Sequence, residues 1–191
     1  MHIIVLASGP SVTQRQIEKT KGHNVITVNN MCFLAPWAQW HFAADYRWWK
    51  EYHGACTIPA RYTLSKGAAQ EFGATWVGQP VDGKYQASWS LGEICRAANS
   101  GMIAVNLAAL LGFRRILLVG FDHKKTDAKA HCHTEYPDGF RHADGIETWL
   151  DRSPAIAEDL MRGGIELINC TIDTALTNIP RMTLDDALCG A

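Results

Sequence analysis

The chain has 191 residues, a formal net charge of −1, and 47% hydrophobic and 19% charged residues. This length suits one domain and gives enough chain to enclose a sizeable core. The nearly balanced charge argues against nucleic acid or an anionic membrane as a partner. No apolar run approaches the ~18 residues of a membrane-spanning helix. We therefore expect a single domain over residues 1–191, with no nucleic-acid partner and no membrane span.

Short apolar runs alternate with helical stretches along the chain, a pattern typical of an α/β fold. We predict a Rossmann-like three-layer sandwich with a mainly parallel sheet. The predicted strands are 2–7, 24–28, 40–44, 114–119 and 165–169, with 57–59 and 75–78 as weaker candidates. The predicted helices are 12–19 with Ser11 as N-cap, 46–53, 102–111, and 152–162 with residue 151 or 153 near its cap. The long polar stretch 123–145 is predicted to be an active-site loop or lid.

Four tryptophans lie within residues 37–49: Trp37, Trp40, Trp48 and Trp49. One interpretation is a bulky hydrophobic contact, such as a homo-oligomer interface or the lid of a pocket. The other is a stacking platform for a base or a sugar. The sequence leaves both interpretations open.

The six cysteines, at positions 32, 56, 95, 132, 170 and 189, have no regular spacing. The apolar start of the chain is short and lacks the basic segment of a signal peptide, so we predict a cytoplasmic protein with reduced, mostly buried cysteines. The run His131-Cys132-His133 offers zinc-binding side chains. Adjacent residues rarely all face one ion, and no second ligand pair lies at a usual spacing, so we predict no metal site.

Two segments have the composition of an anion-binding turn. The first is Ser8-Gly9-Pro10-Ser11, between the first strand and the first helix, and the second is Ser100-Gly101, at the start of an apolar helix. Glycine permits close approach of the backbone to a ligand, and free N–H groups at a helix start favour an anion. The structural alternative is a tight turn in the first case and simple capping in the second.

Polar residues also follow several predicted strands. Asn29 and Asn30 offer uncharged amides for a base, a ribose or a sugar, or they cap a turn. Asp45 can hold a divalent metal ion or a ribose hydroxyl, or cap the next helix. Asp122 ends the run Gly120-Phe121-Asp122. Because ligands of open α/β sheets gather at the carboxyl ends of the strands, we predict one nucleotide site there.

Together these motifs resemble the bacterial lipooligosaccharide sialyltransferases, most specifically over residues 100–122. The resemblance implies a Rossmann-like enzyme that binds a cytidine-monophosphate sugar donor without a metal. It also implies a histidine in the following loop that deprotonates the acceptor hydroxyl, for which His142 is the best match and His133 the second. Ser8 and Asp45 each occupy a position where that family usually has asparagine. Both positions belong to the donor site, so these differences put the identity of the donor in question.

Asp45 also gives a resemblance to archaeal-type 6-hydroxymethylpterin pyrophosphokinases and their bacterial, phage and prophage relatives. That resemblance implies magnesium and a triphosphate, although such an enzyme groups several acids around its metal and only Asp45 and Asp122 lie at strand ends here. The sequence thus predicts a glycosyltransferase-like enzyme with no required cofactor. One alternative is a magnesium-dependent phospho- or pyrophosphotransferase. The other is a nucleotide-binding module without turnover, in which the Trp-rich segment, residues 37–49, binds a partner chain.

Overall fold

The computed structural model describes residues 1–78, 85–90, 92–97, 99–133, 136, 140 and 145–189. The strands are β1 (His2–Leu6), β2 (Val25–Val28), β3 (Trp40–Phe42), β4 (Ala60–Thr63), β5 (Thr75–Trp76), β6 (Arg115–Val119) and β7 (Glu166–Asn169). The helices are α1 (Gln14–Lys19), α2 (Met31–Leu34), α3 (Tyr46–Tyr52), α4 (Lys66–Phe72), α5 (Ser100–Leu110), α6 (Ile146–Arg162) and α7 (Leu184–Cys189).

The seven strands form one parallel sheet in the order β5-β4-β3-β2-β1-β6-β7. Side chains of β1 alternate between two cores. Ile3 and Val5 pack in the core that contains α5 and α6, whereas Ile4 and Leu6 pack in the opposite core with side chains of α1 to α4. A strand buried on both faces is apolar throughout, as β1 is. The predicted α/β class, a Rossmann-like three-layer sandwich with a parallel sheet, is confirmed.

Helix α5 lies against the centre of the sheet and is buried over residues 101–109. Its only buried polar side chain is Asn106, whose Oδ1 accepts from the N–H groups of Ser88 and Cys95, each at 2.9 Å. Its Nδ2 donates to the Ser88 carbonyl, also at 2.9 Å. Asn106 thereby fastens to α5 the described part of the irregular connection between β5 and α5. Across the described ranges, no helix is both long and apolar enough to cross a bilayer.

Several predicted boundaries are wrong for identifiable reasons. Helix α1 is capped by Thr13, which forms a reciprocal capping box with Gln16, so Ser11 is not the N-cap. The fourth strand occupies Ala60–Thr63 and not 57–59. Helix α6 begins at Ile146, which places Ser153 and Pro154 inside the helix. The later start was predicted from a cap at residue 151 or 153 and from Pro154 in a first turn, although Ile146, Trp149 and Leu150 already have the apolar spacing of a helix.

The tryptophans of the Trp-rich segment serve mainly the chain's own core. Trp48 and Trp49 are 2% and 0% exposed, and their indole N–H groups donate to Asn30 Oδ1 at 2.8 Å and to the Ala43 carbonyl at 2.9 Å. Trp40 packs edge-on against Phe113, with ring centroids 5.5 Å apart. Trp48 and Trp49 therefore offer neither a stacking platform for a ligand nor a surface for a partner chain.

Candidate functional site

A cavity of about 460 Å³ lies beyond the carboxyl ends of β1, β2, β3, β4 and β6. It includes the point where the chain's strand order reverses, between β1 and β6, which is where open α/β sheets bind ligands. The structure brings most of the sequence-predicted nucleotide-binding residues to this cavity, namely Ser8, Gly9, Pro10, Asn29, Asp45, Ser100, Gly101 and Asp122.

Two residues of the predicted set, Ser11 and Asn30, do not line the cavity and act behind it. The backbone N–H of Ser11 donates to Asp122 Oδ2 at 2.8 Å. Asn30 Oδ1 accepts from the indole of Trp48. Ser11 thus positions the carboxylate of Asp122, and Asn30 ties the end of β2 to α3.

The first turn does not present its amides to the cavity, contrary to the sequence expectation. The N–H of Gly9 donates to the Gly120 carbonyl at 2.9 Å, and the N–H of Ser11 is used by Asp122. The helix starts only at Gln14, so its N-terminus lies beyond the turn. Instead, Gly9 lets the turn pack directly against Asp122 and the end of β6. A Cβ at Gly9 would lie 2.0 Å from Asp122 Oδ1 and 2.6 Å from the Gly120 carbonyl oxygen.

The positive end of the cavity is the N-terminus of α5. Asn99 caps this helix by accepting from the Met102 N–H at 2.9 Å. The N–H groups of Ser100 and Gly101 line the cavity and make no hydrogen bond with any residue that the structure describes. The helix dipole adds partial positive charge at this end. Lys124 also lines the cavity, but its ammonium group pairs with Asp173 at 2.5 Å, so the pair has no net charge.

Asp122 is the most deeply buried acid of the site, at 1% exposure. Burial raises the pKa of its carboxyl, and the hydrogen bond from Ser11 partly opposes that shift. Its Oδ1 has no hydrogen-bond partner among the described residues. A buried acceptor without a partner is costly, so Oδ1 is well suited to accept a hydrogen bond from a ligand hydroxyl.

Asp45 and Asn29 form the opposite, more open side of the cavity. Asp45 precedes α3 but its side chain makes no capping hydrogen bond, and removal from water raises the pKa of its carboxyl. Asn29 has a left-handed backbone (φ 49°), and its side chain makes no hydrogen bond with the described residues. Both side chains are therefore available to a ligand.

His131, in the 123–145 stretch, lines the cavity beside the predicted site residue Ser8. Its Nδ1 lies 2.9 Å from Ser8 Oγ. The ring of His133 stacks on the ring of His131, with centroids 5.1 Å apart and planes 5° apart, and His133 does not line the cavity. His142, the histidine that the resemblance favours, lies outside the described residues.

His123 also lines the cavity, directly after Asp122. Its Nε2 lies 2.8 Å from Ser153 Oγ, and Asn99 Nδ2 lies 3.4 Å from the same nitrogen. Burial is the main reason why the pKa of His123 falls to about 4, so the ring is neutral near pH 7. This network joins the start of α5 to α6 and holds the strand end in place.

Sequence reasoning missed several residues of the cavity, including Asn99, His123, Lys124, His131 and Trp149. His123 and Lys124 directly follow the strand-end acid, and that position was a usable signal. The sequence gave no such signal for Trp149, because its helix was predicted to start after it, at residue 152. No family model, no curated protein and no solved structure matches this chain.

Proposed function

We propose that the chain binds a nucleotide-sugar of the cytidine-monophosphate type in the strand-end cavity and transfers the sugar to an acceptor hydroxyl. The observation that carries the proposal is the convergence of Ser8, Asn29, Asp45, Ser100 and Asp122 on one cavity at the reversal of strand order. Its volume of about 460 Å³ falls within the roughly 300–1,000 Å³ of small-molecule sites.

The charges of the cavity suggest how the donor would lie. The start of α5 would face the phosphate, because it supplies free N–H groups, and the Lys124 ammonium group would exchange Asp173 for the phosphate. Asn29 and Asp45 would bind the base or the ribose through amide and carboxylate groups. Asp122 Oδ1 would accept from a hydroxyl of the sugar or the acceptor.

We assign the role of general base to His131, because it is the histidine that the structure places beside Ser8 on the cavity. The neutral imidazole would take the proton of the acceptor hydroxyl as its oxygen forms a bond to the anomeric carbon. The bond between that carbon and the phosphate oxygen breaks at the same time. The nucleoside monophosphate leaves with the electron pair of that bond.

The positions of the two acids favour this reading over the magnesium-dependent alternative. Asp45 follows β3 and Asp122 follows β6, and two other strands lie between these in the sheet. Three spacings of ~4.8 Å put the two strand ends about 14 Å apart. One magnesium ion binds its oxygens at about 2.1 Å, so the two carboxylates would not share an ion, and a magnesium ion here would be held by a single carboxylate together with the phosphates of its ligand.

Thermal-shift measurements with cytidine and adenine nucleotides, each with and without magnesium, test the proposal. Cytidine monophosphate is expected to raise the melting temperature without metal. Lys124→Ala should weaken that effect, whereas Lys125→Ala, at an exposed residue that does not line the cavity, should not. A shift only with ATP and magnesium would favour the phosphotransferase. No shift with any nucleotide would overturn both enzyme readings.

The base is tested by release of the nucleotide from a cytidine-monophosphate sugar. His131→Ala is expected to lower turnover by about 10²–10⁴-fold while cytidine monophosphate still binds. His133→Ala and His142→Ala are measured in parallel, and the largest loss identifies the base. If all three variants keep full turnover, histidine base catalysis is wrong. If cytidine monophosphate binds and no turnover occurs, the chain is a binding module.

A cytoplasmic location belongs to the same proposal, because a reducing compartment keeps its cysteines as thiols.

A further inference from the structure

Three buried side chains with metal-binding atoms meet on the side of the sheet that carries α2 and α3, away from the strand-end cavity. They are Cys32 in α2, His41 in β3 and Cys56 in the connection from α3 to β4. Their two sulfurs and one ring nitrogen all lie within 4.8 Å of one another. None of the three lines the cavity.

The hydrogen bonds of His41 leave one ring nitrogen ready to act as a ligand. Its Nδ1 lies 3.0 Å from Thr27 Oγ1, and the Thr27 hydroxyl donates to the Trp40 carbonyl at 3.4 Å. With the proton on Nδ1, the ring donates to Thr27 Oγ1 while the Thr27 hydroxyl donates to the Trp40 carbonyl, so this tautomer satisfies both contacts. Nε2 then has an unshared electron pair. Although His41 is 0% exposed, Nε2 has no partner among the described residues.

This arrangement is the one found around metal-bound imidazoles, in which the second ring nitrogen donates to a fixed acceptor. It is a separate observation from the proximity of the three side chains. A metal ion on Nε2 would satisfy the buried acceptor.

We propose that Cys32, His41 and Cys56 form a binding site for one thiophilic d¹⁰ metal ion, zinc or copper(I). Thiolate and imidazole ligands favour these ions. An ion at the centre of a triangle with 4.8 Å sides would lie about 2.8 Å from each donor, against about 2.3 Å for Zn–S and 2.0–2.1 Å for Zn–N. Movements of under about 1 Å per side chain would therefore close the site.

The surroundings make this site structural and not catalytic. The rings of Trp48 and Trp49 lie against His41, with centroid distances of 4.7 and 5.6 Å. Cys32 and Cys56 are 3% and 6% exposed, so no substrate reaches the ion. Its effect would be to join α2, β3 and the segment before β4. The two ions differ in the number of ligands that they require. Copper(I) can be held by three soft donors, whereas a structural zinc ion requires a fourth ligand.

The test uses the full chain, reduced and stripped of metal with a chelator. Zinc and copper(I) are titrated separately in competition with a chromophoric chelator, and tryptophan fluorescence reports the site because Trp48 and Trp49 surround it. One equivalent of either ion is expected to bind and to raise the melting temperature. Failure of both ions to bind would overturn the proposal.

Cys32→Ala and Cys56→Ala are each expected to weaken binding at least about 100-fold, since each removes one of three ligands. The matched control is Cys170→Ala, which changes another buried cysteine outside the cluster. Because core variants can fail to fold, alkylation of the unaltered protein is mapped as well. Bound metal should protect Cys32 and Cys56 more than Cys170. Equal protection, or a disulfide between Cys32 and Cys56 in the protein as isolated, would refute the site.

Discussion

Gly9 illustrates how one residue controls the shape of the cavity. A methyl group there would lie 2.0 Å from Asp122 Oδ1 and 2.6 Å from the Gly120 carbonyl oxygen, and backbone atoms yield little. We expect Gly9→Ala to lower the free energy of unfolding by about 1–3 kcal/mol and to abolish stabilisation by cytidine monophosphate. Urea denaturation measures the first effect. Gly54→Ala, whose Cβ would meet nothing within 4 Å, is the control. Equal urea midpoints would contradict the prediction.

His123 makes stability depend on pH. Its pKa is about 4 in the folded chain and about 6.5 when unfolded, so the unfolded chain binds more protons between these values. Stability from this group is full above pH 6.5 and falls as the pH drops toward 4, by about 3 kcal/mol at pH 4.

His123→Asn removes the titrating group and tolerates the left-handed backbone (φ 52°). Urea denaturation between pH 7 and pH 4 should therefore show a shallower fall in the variant. The difference between the two curves isolates His123, because His41, also buried, titrates in both proteins. Parallel curves would show that His123 does not gain its proton on unfolding.

The residues at strand ends were predictable because their position follows from the order of strands and turns. Gly9, Asn29, Asp45 and Asp122 needed only the knowledge that parallel strands end at a common edge. The contact of His123 with Ser153 was not predictable in this way. The predicted helix started at residue 152 and had Ser153 as a possible cap, whereas α6 starts at Ile146 and holds Ser153 inside the helix, where its hydroxyl meets His123.

Asn106 is the side chain through which α5 holds the described part of the connection from β5, residues 85–90 and 92–97, where no helix or strand forms. Asn106→Ala would leave two buried N–H groups and one buried carbonyl without partners. We expect a loss of about 3–5 kcal/mol of unfolding free energy, since each orphaned group costs about 1–3 kcal/mol. Faster proteolytic cleavage within residues 85–97 should accompany that loss. Gln14→Ala, on the exposed face of α1, should change neither measurement. An unaltered cleavage rate would exclude the fastening role.

Among the elements, those with strong apolar signals were predicted and those without were not. Helix α5 and strand β6 are apolar runs that fill the core, and their predicted bounds differ from the observed ones by no more than two residues. Helix α4 contains Gly67 and has few apolar residues, so its sequence resembles a loop. It forms because Ser65 caps it and its Ala68 packs in the core.

The molecule as a whole sets the site through its strand order. The chain builds β2 to β5 on one side of β1 and returns to place β6 and β7 on the other. The cavity opens where the chain crosses from β5 back to β6, on the other side of β1. Helix α5 forms part of this crossover, and its N-terminus points into the cavity. The class of fold and the edge that carries the cavity were accessible from the sequence. The stretch 123–145 was predicted as an active-site loop, but the positions of its side chains were not predictable, because they depend on contacts distant in the chain.

The pairing of β1 with β6 also governs how the protein acquires its structure during synthesis. One edge of β1 forms its hydrogen bonds only after residues 115–119 of β6 have been synthesised. The contact of Ser11 with Asp122 likewise joins residues 111 positions apart. Contacts so distant in sequence slow folding, so refolding is expected to take milliseconds to seconds. Stopped-flow tryptophan fluorescence measures this, and a microsecond phase carrying the full amplitude would refute it. Until β6 is synthesised, the apolar edge of β1 stays open to other chains, so the nascent protein needs protection from aggregation at that stage.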